Sequence, residues 1–113
     1  MALHEMTFSF PGRKSSRSIP RPWSHTGVVG SGDLEVLIRQ ADLEGGVEVC
    51  VKTPVKGFDP IWRKVLERFL QESGLGDVRI HINDNNATPF VVSLRLKQAL
   101  IEALEGGNHA PLD

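Results

Sequence analysis

This chain of 113 residues has one cysteine, Cys50, and no tyrosine. A single cysteine excludes an intramolecular disulfide framework. Cys50 stands in an apolar alternating run, which reads as a small buried or half-buried hydrophobe. Nothing around it would stabilise a thiolate, so it is not read as a nucleophile. Charge of one sign is also missing, with 13 basic against 14 acidic residues and a net charge of −1. That leaves no general electrostatic footprint for nucleic acid. No apolar run approaches the ~20 residues of a membrane span. The N-terminus lacks the apolar segment of a secretory signal, so a cytoplasmic location is expected. Aromatics make up only 6% of the chain, against 40% hydrophobic residues in all, so the expected core is built mostly of Val, Leu and Ile.

Catalytic constellations are missing as well. The four histidines, His4, His25, His81 and His109, fit no zinc spacing, and Cys50 has no partner in a CxxC pair. The run Val29-Gly30-Ser31-Gly32-Asp33 is not the Gly-x-Ser-x-Gly elbow of a hydrolase, although His25 lies six residues before Ser31. The glycines of Gly27-Val28-Val29-Gly30-Ser31-Gly32 lack the lysine of a P-loop and precede a strand pattern rather than a helix. Asp84 lies among Asn83, Asn85 and Asn86 without a calcium-loop spacing, and the stretch reads as a polar loop.

What is present is periodic. Phe8 and Phe10 mark a first strand before Pro11-Gly12. Residues 13–24 read as a mobile, basic Ser/Pro-rich connector containing Trp23. Leu34, Val36 and Ile38 alternate with Glu35, Leu37 and Arg39; Val47, Val49 and Val51 alternate with Glu48, Cys50 and Lys52. With Glu44-Gly45-Gly46 between them, these two runs predict an antiparallel hairpin. Asp59-Pro60 reads as a cap and first turn of a helix whose inner face holds Ile61, Val65, Leu66 and Phe69, with Trp62 in or beside the core and Gly74 as the stop. Val78, Ile80 and Ile82 form another strand, so this helix can serve as a right-handed crossover. Thr88-Pro89 opens a last helix with Val92, Leu96, Ala99, Leu100 and Ala103 on one face, and residues 106–113 should fray. The expected fold is one α+β domain over residues 1–113, a two-layer sandwich with a mixed sheet of about four strands and two helices on one face. Val36, Val49, Phe69, Ile80 and Leu100 are expected in the core.

The stretch that stands out is Gly30-Ser31-Gly32-Asp33-Leu34-Glu35-Val36-Leu37. Gly, Ser and Asp are ordinary turn residues, and Asp33 suits an Asx-turn. The same residues also present a serine hydroxyl with little steric cover.

This octapeptide resembles the serine motif of the malonate decarboxylase acyl carrier (delta) subunit family. Ala87-Thr88-Pro89, Val91-Val92, Leu94-Arg95-Leu96 and Gln98-Ala99-Leu100 resemble that family's C-terminal run, and the likeness extends in order from the Phe8/Phe10 strand to Leu104. The resemblance implies a carrier that is not itself catalytic. Its serine, Ser31 by position, would carry 2′-(5″-phosphoribosyl)-3′-dephospho-CoA through a phosphodiester, with Gly30, Gly32 and Asp33 as the surrounding loop. It also implies a dedicated prosthetic-group transferase, an acetyl-ACP:malonate transferase subunit and carboxyltransferase-like decarboxylase subunits as partners, with neither nucleic acid nor membrane. Backbone N–H groups near Ser31 are expected to stabilise the phosphate. The four-helix acyl carrier proteins place their serine in Asp-Ser-Leu at a helix start; here a β pattern follows, so the fold should differ. The alternative is a non-catalytic interaction module without a covalent cofactor; a small serine hydrolase ranks below both.

Overall fold

A computed structural model describes residues 3–13 and 16–105. The tail expected to fray, with His109, lies outside the described residues, as do Lys14 and Ser15. Five strands and two helices follow in the order β1 (His4–Phe10), β2 (Trp23–Gly27), β3 (Asp33–Gln40), β4 (Val47–Thr53), α1 (Asp59–Ser73), β5 (Val78–Asn85) and α2 (Pro89–Glu105). The strands form one mixed sheet in the order β1-β4-β5-β3-β2. The α+β class is as expected, and the strand count is five rather than about four.

The additional strand is β2, which begins in the last two residues of the stretch read as a mobile connector and runs beyond it. It escapes a hydrophobicity pattern because its polarity is inverted. Ser24 pairs with Ile38 and Thr26 with Val36, so the two inward positions are polar, while Trp23 on the other side is exposed. Ser24 is nevertheless buried, and its hydroxyl donates to the carbonyl of Ala99 in α2 (3.1 Å). The residues before β2 are docked too. Ile19 is only 2% exposed, Gln40 donates to its carbonyl, and Arg17 donates from its guanidinium to the carbonyl of Ser73.

The hairpin expected between β3 and β4 does not form, because β5 lies between them. β5 pairs antiparallel with β3 and parallel with β4, so α1 links two parallel neighbours. The loop from β3 to β4 must therefore span two strand spacings, about 10 Å. It wraps around Asp77 at the start of β5. The Asp77 carboxylate accepts from the N–H groups of Leu43 and Gly45, and its backbone N–H donates to Gly46. Glu44-Gly45-Gly46 is a turn, but one that closes on β5.

Strand register puts Met6, Phe8, Val36, Ile38, Val49, Val51, Ile80 and Ile82 on one face of the sheet, and all are buried. From α1 the core takes Trp62, Leu66, Phe69 and Leu70. Ile61 is exposed and Val65 only half-buried, so the inner face of α1 is rotated from the one predicted. α2 contributes Val92, Leu96, Ala99 and Ala103, whereas Leu100 is half-buried and packs at the core's margin.

The helix ends differ in how well they follow expectation. Phe58 occupies the N-cap of α1 without a side-chain bond, and Asp59 falls in the first turn instead. There it favours the helix dipole rather than capping a specific N–H. Gly74 ends α1 in the left-handed conformation (φ 70°), its N–H bonded to Leu70. At α2, the hydroxyl of Thr88 accepts the N–H of Val91 (3.3 Å), the cap the sequence predicts. Asp84 is not in a loop. It is buried in β5, where its carboxylate accepts the Thr53 hydroxyl (2.8 Å) and the N–H groups of Asn86 and Ala87.

Candidate functional site

Gly27 ends β2 and Asp33 begins β3; the turn between them carries Ser31. The N–H of Asp33 donates to the carbonyl of Gly30 (3.0 Å), closing a four-residue turn with Ser31 and Gly32 at its centre. Gly32 has φ +74°, the left-handed value that the third position of a type II turn requires. A Cβ on Gly32 would meet nothing within 4 Å, and one on Gly30 only a methyl of Val28 at 3.7 Å. Ser31 itself is exposed, and its hydroxyl makes no hydrogen bond among the described residues.

The constraint at Gly32 is conformational rather than steric. Gly32→Ala is therefore expected to cost about 1–2 kcal/mol through the left-handed backbone alone. A denaturation midpoint equal to the native one would show that the turn does not require this geometry.

The turn is fixed on both sides. Gly32 N–H donates to the carbonyl of Asn85 at the end of β5 (2.8 Å). One oxygen of Asp33 accepts its neighbour Leu34's N–H (2.7 Å). Both carboxylate oxygens are held by Arg95 of α2, Nε to Oδ1 at 2.9 Å and Nη2 to Oδ2 at 2.6 Å. The third arm of the guanidinium, Nη1, donates to the side-chain carbonyl of Gln98 (2.9 Å). A bidentate fork of this kind adds geometric specificity as well as energy.

Sequence reasoning left Arg95 without a role, although the residue lies in Leu94-Arg95-Leu96. The two motifs are 62 positions apart, and only the fold joins them. The fork also explains how Asp33 is tolerated beside a site expected to take a phosphodiester, since Arg95 cancels its charge. By contrast, the N–H groups of Gly32, Asp33 and Leu34 are all engaged within the protein, so the phosphate cradle expected from backbone N–H groups does not lie at these three residues.

Hydrogen bonding by Arg95, with that of the Leu34 N–H, holds the Asp33 carboxyl below the usual carboxylate range. A lowered folded-state value means stability that is present above the unfolded pKa and lost as pH falls through the folded one. The native protein should accordingly lose stability on acidification below about pH 4, and Arg95→Gln should flatten that loss. Melting temperatures recorded along an acid series test this; parallel curves for the two proteins would refute it.

Among the described residues no acid–base pair serves Ser31. His25 is turned to Glu35, with Nε2 and Oε1 at 2.9 Å, and the other oxygen of Glu35 accepts from Asn83 (2.7 Å). The described residues contain no group of three or more His, Cys, Asp or Glu placed to hold a metal ion. Cys50 is half-buried, and desolvation and Glu5 raise its thiol above the ordinary range, away from a reactive thiolate. Among the described residues no helix is long and apolar enough to cross a membrane.

Fold and site together describe a presenting scaffold: a small α+β protein that holds one exposed serine hydroxyl on a braced turn, without a base to activate it among the described residues. The chain matches the family model of the malonate decarboxylase delta subunit (MdcD) over residues 23–103. It belongs to that family. It is 54% identical over 101 residues to the malonate decarboxylase acyl carrier protein of Malonomonas rubra, covering 89% of each chain. Over 106 residues it is 44% identical to the protein of the same name from Xanthomonas euvesicatoria pv. vesicatoria, covering 94% of this chain and 99% of the relative. Among solved structures it is similar to a chain of a Pseudomonas malonate decarboxylase hetero-tetramer in complex with malonate, with a TM-score of 0.75 and 36% identity over 88% of this chain and 98% of that one.

Proposed function

We propose that this protein is the acyl carrier subunit of a multi-subunit malonate decarboxylase, not catalytic alone, and that Ser31 is the attachment point of its prosthetic group. The observation that carries the reading is the turn itself: an exposed hydroxyl, clear space at Gly30 and Gly32, and three anchors that leave the serine unencumbered. A carrier needs no nucleophile or base of its own, which fits the absence of a partner for Ser31 among the described residues.

The group in this reading is 2′-(5″-phosphoribosyl)-3′-dephospho-CoA, joined by a phosphodiester. The residues present suit it. Open space at both glycines accepts a bulky root, and the Arg95 fork keeps Asp33 from adding net negative charge beside a phosphate. When bound, the group supplies a thiol that carries acetyl and malonyl as thioesters. The chain's own part is to fix where the arm starts, which raises the concentration of its thioester at partner sites. Gly30, Gly32 and Asp33 shape the loop that the modifying transferase must reach.

The partners in this reading are that prosthetic-group transferase, an acetyl-ACP:malonate transferase subunit and carboxyltransferase-like decarboxylase subunits, in the cytoplasm. The scaffold is a two-layer sandwich with both helices over the apolar face. In support, Arg63 of α1 stacks over Phe8 and Phe10, Ser24 of β2 bonds to α2, and the two helices touch. Co-expression with the transferase tests the proposal through intact mass. One added cofactor mass is expected; a protein that stays unmodified, although the transferase loads an established carrier, contradicts it.

A further inference from the structure

Between the N-terminal ends of α1 and α2 lies a cavity of about 300 Å³. Small-molecule pockets begin at this size. Its sides are mostly apolar, with Val55, Trp62, Val65 and Val92 among them. Two buried polar residues, Thr53 and Asp84, also line it. The Asp84 carboxylate accepts three hydrogen bonds, from the hydroxyl of Thr53 and the N–H groups of Asn86 and Ala87. A carboxylate has about four acceptor sites, so one remains for an incoming N–H. The chemistry suits a slender chain with methyl and methylene groups and an occasional amide, and not a second charged group.

The cavity is close to the serine turn. Asn86 and Ala87 line it, and they directly follow Asn85, whose carbonyl holds the N–H of Gly32 at 2.8 Å. Covalent geometry on either side of that bond puts the Cα atoms of Ser31 and Asn86 within roughly 8 Å of each other. In the proposed group the phosphoribosyl, ribose and diphosphate units stand between Ser31 and the pantetheine, whose own chain adds the backbone length of about four residues, roughly 14 Å. The whole arm is therefore longer than the gap, and its thiol end reaches the cavity by folding back toward the protein.

We propose that this cavity is an intramolecular resting site for the thiol end of the arm carried on Ser31. The arm crosses the 86–88 segment, sets its gem-dimethyl and methylene groups against Trp62, Val65 and Val92, and offers an amide N–H to Asp84. The thioester is thereby shielded from water between partner visits. Occupancy has to be reversible, because the same thioester must leave for partner sites. The proposal rests on Ser31 being the attachment point.

The test uses the loaded, deacylated carrier in a Cys50→Ser background, where the arm's thiol is the one thiol present, since Cys50 is the chain's only cysteine. Its rate of reaction with Ellman's reagent is compared with that of carriers also bearing Ala87→Phe or Val55→Phe. Both substitutions place a ring in the cavity from half-buried positions, and either alone suffices if the other disturbs folding. The open-cavity carrier is expected to react several-fold more slowly than the filled ones. A Trp23→Phe version leaves Trp62 as the only indole, and its quenching by acrylamide should fall on loading. Equal thiol rates with unchanged quenching in carriers of the correct loaded mass overturn the resting site and leave the Ser31 reading intact; that is also the result expected if a partner's side chain, rather than the arm, fills the cavity. A carrier that never gains the cofactor mass overturns the Ser31 reading, and this proposal with it.

Discussion

A Ser31→Ala carrier is expected to fold like the native protein and to leave the assembled complex unable to decarboxylate malonate. The substitution removes one oxygen from an exposed turn where that oxygen makes no hydrogen bond among the described residues, so its effect on stability should stay within about 0.5 kcal/mol. The loss of function should nonetheless be complete, because the deleted atom is the one through which the arm is proposed to attach. Ser31→Thr keeps a hydroxyl but adds a methyl group and stiffens χ1, so loading should be slow or absent. Ser93→Ala is the control and should load normally. Ser24 is unsuitable for that purpose, since its buried hydroxyl ties β2 to α2 and its removal would disturb the fold. Retained decarboxylation by the complex built with Ser31→Ala would put the attachment point elsewhere.

Phe69→Ala is the substitution expected to cost most in stability, about 3–5 kcal/mol. Phe69 is buried in α1 among Leu66 and Leu70, and its loss leaves a void that rigid strands beneath cannot close. For a protein of this size such a change lowers the melting temperature by roughly 12 °C or more. Leu100→Ala should cost less, below about 2 kcal/mol, because that side chain is only partly buried at the core's margin. Denaturant midpoints for the two variants measure the difference. Equal costs would mean that α2 is rotated from the orientation described.

That contrast shows what a helical period can and cannot tell. Val92, Leu96, Ala99 and Ala103 repeat cleanly and all lie in the core, yet Leu100 satisfies the same spacing at the margin. In α1 the spacing offers two overlapping apolar faces. Ile61 and Val65 belong to the one that borders the cavity, Ile61 exposed and Val65 at the core's margin. The central strands were legible because one face of each carries three apolar side chains in alternation, Leu34-Val36-Ile38, Val47-Val49-Val51 and Val78-Ile80-Ile82. β2 was not, because a hydroxyl bonded to a helix carbonyl takes the place of an apolar inward side chain. Strand neighbours were illegible for another reason: a six-residue loop fits a hairpin and an arch over an inserted strand equally well, and the bonds to Asp77 that select the arch come from 32 and 34 residues away.

The site divides in the same way. Ser31, its glycines and Asp33 can be found in the sequence because a turn of this kind is local. The Arg95–Gln98 support cannot, since nothing in residues 30–33 points to a helix 62 positions on. Asp84 looked like one more polar residue in an asparagine-rich loop until the fold buried it against Thr53.

Peptide fragmentation of the protein co-expressed with its transferase tests the central claim most directly. Tryptic cleavage releases residues 18–39 as one peptide, because Arg21 is followed by Pro22. That peptide holds Ser18, Ser24, Thr26 and Ser31, and its fragment ions separate all four. The account predicts a single phosphodiester-linked cofactor mass on Ser31 and none on the other three hydroxyls. An unmodified Ser31 beside a cofactor mass on any other residue would contradict it.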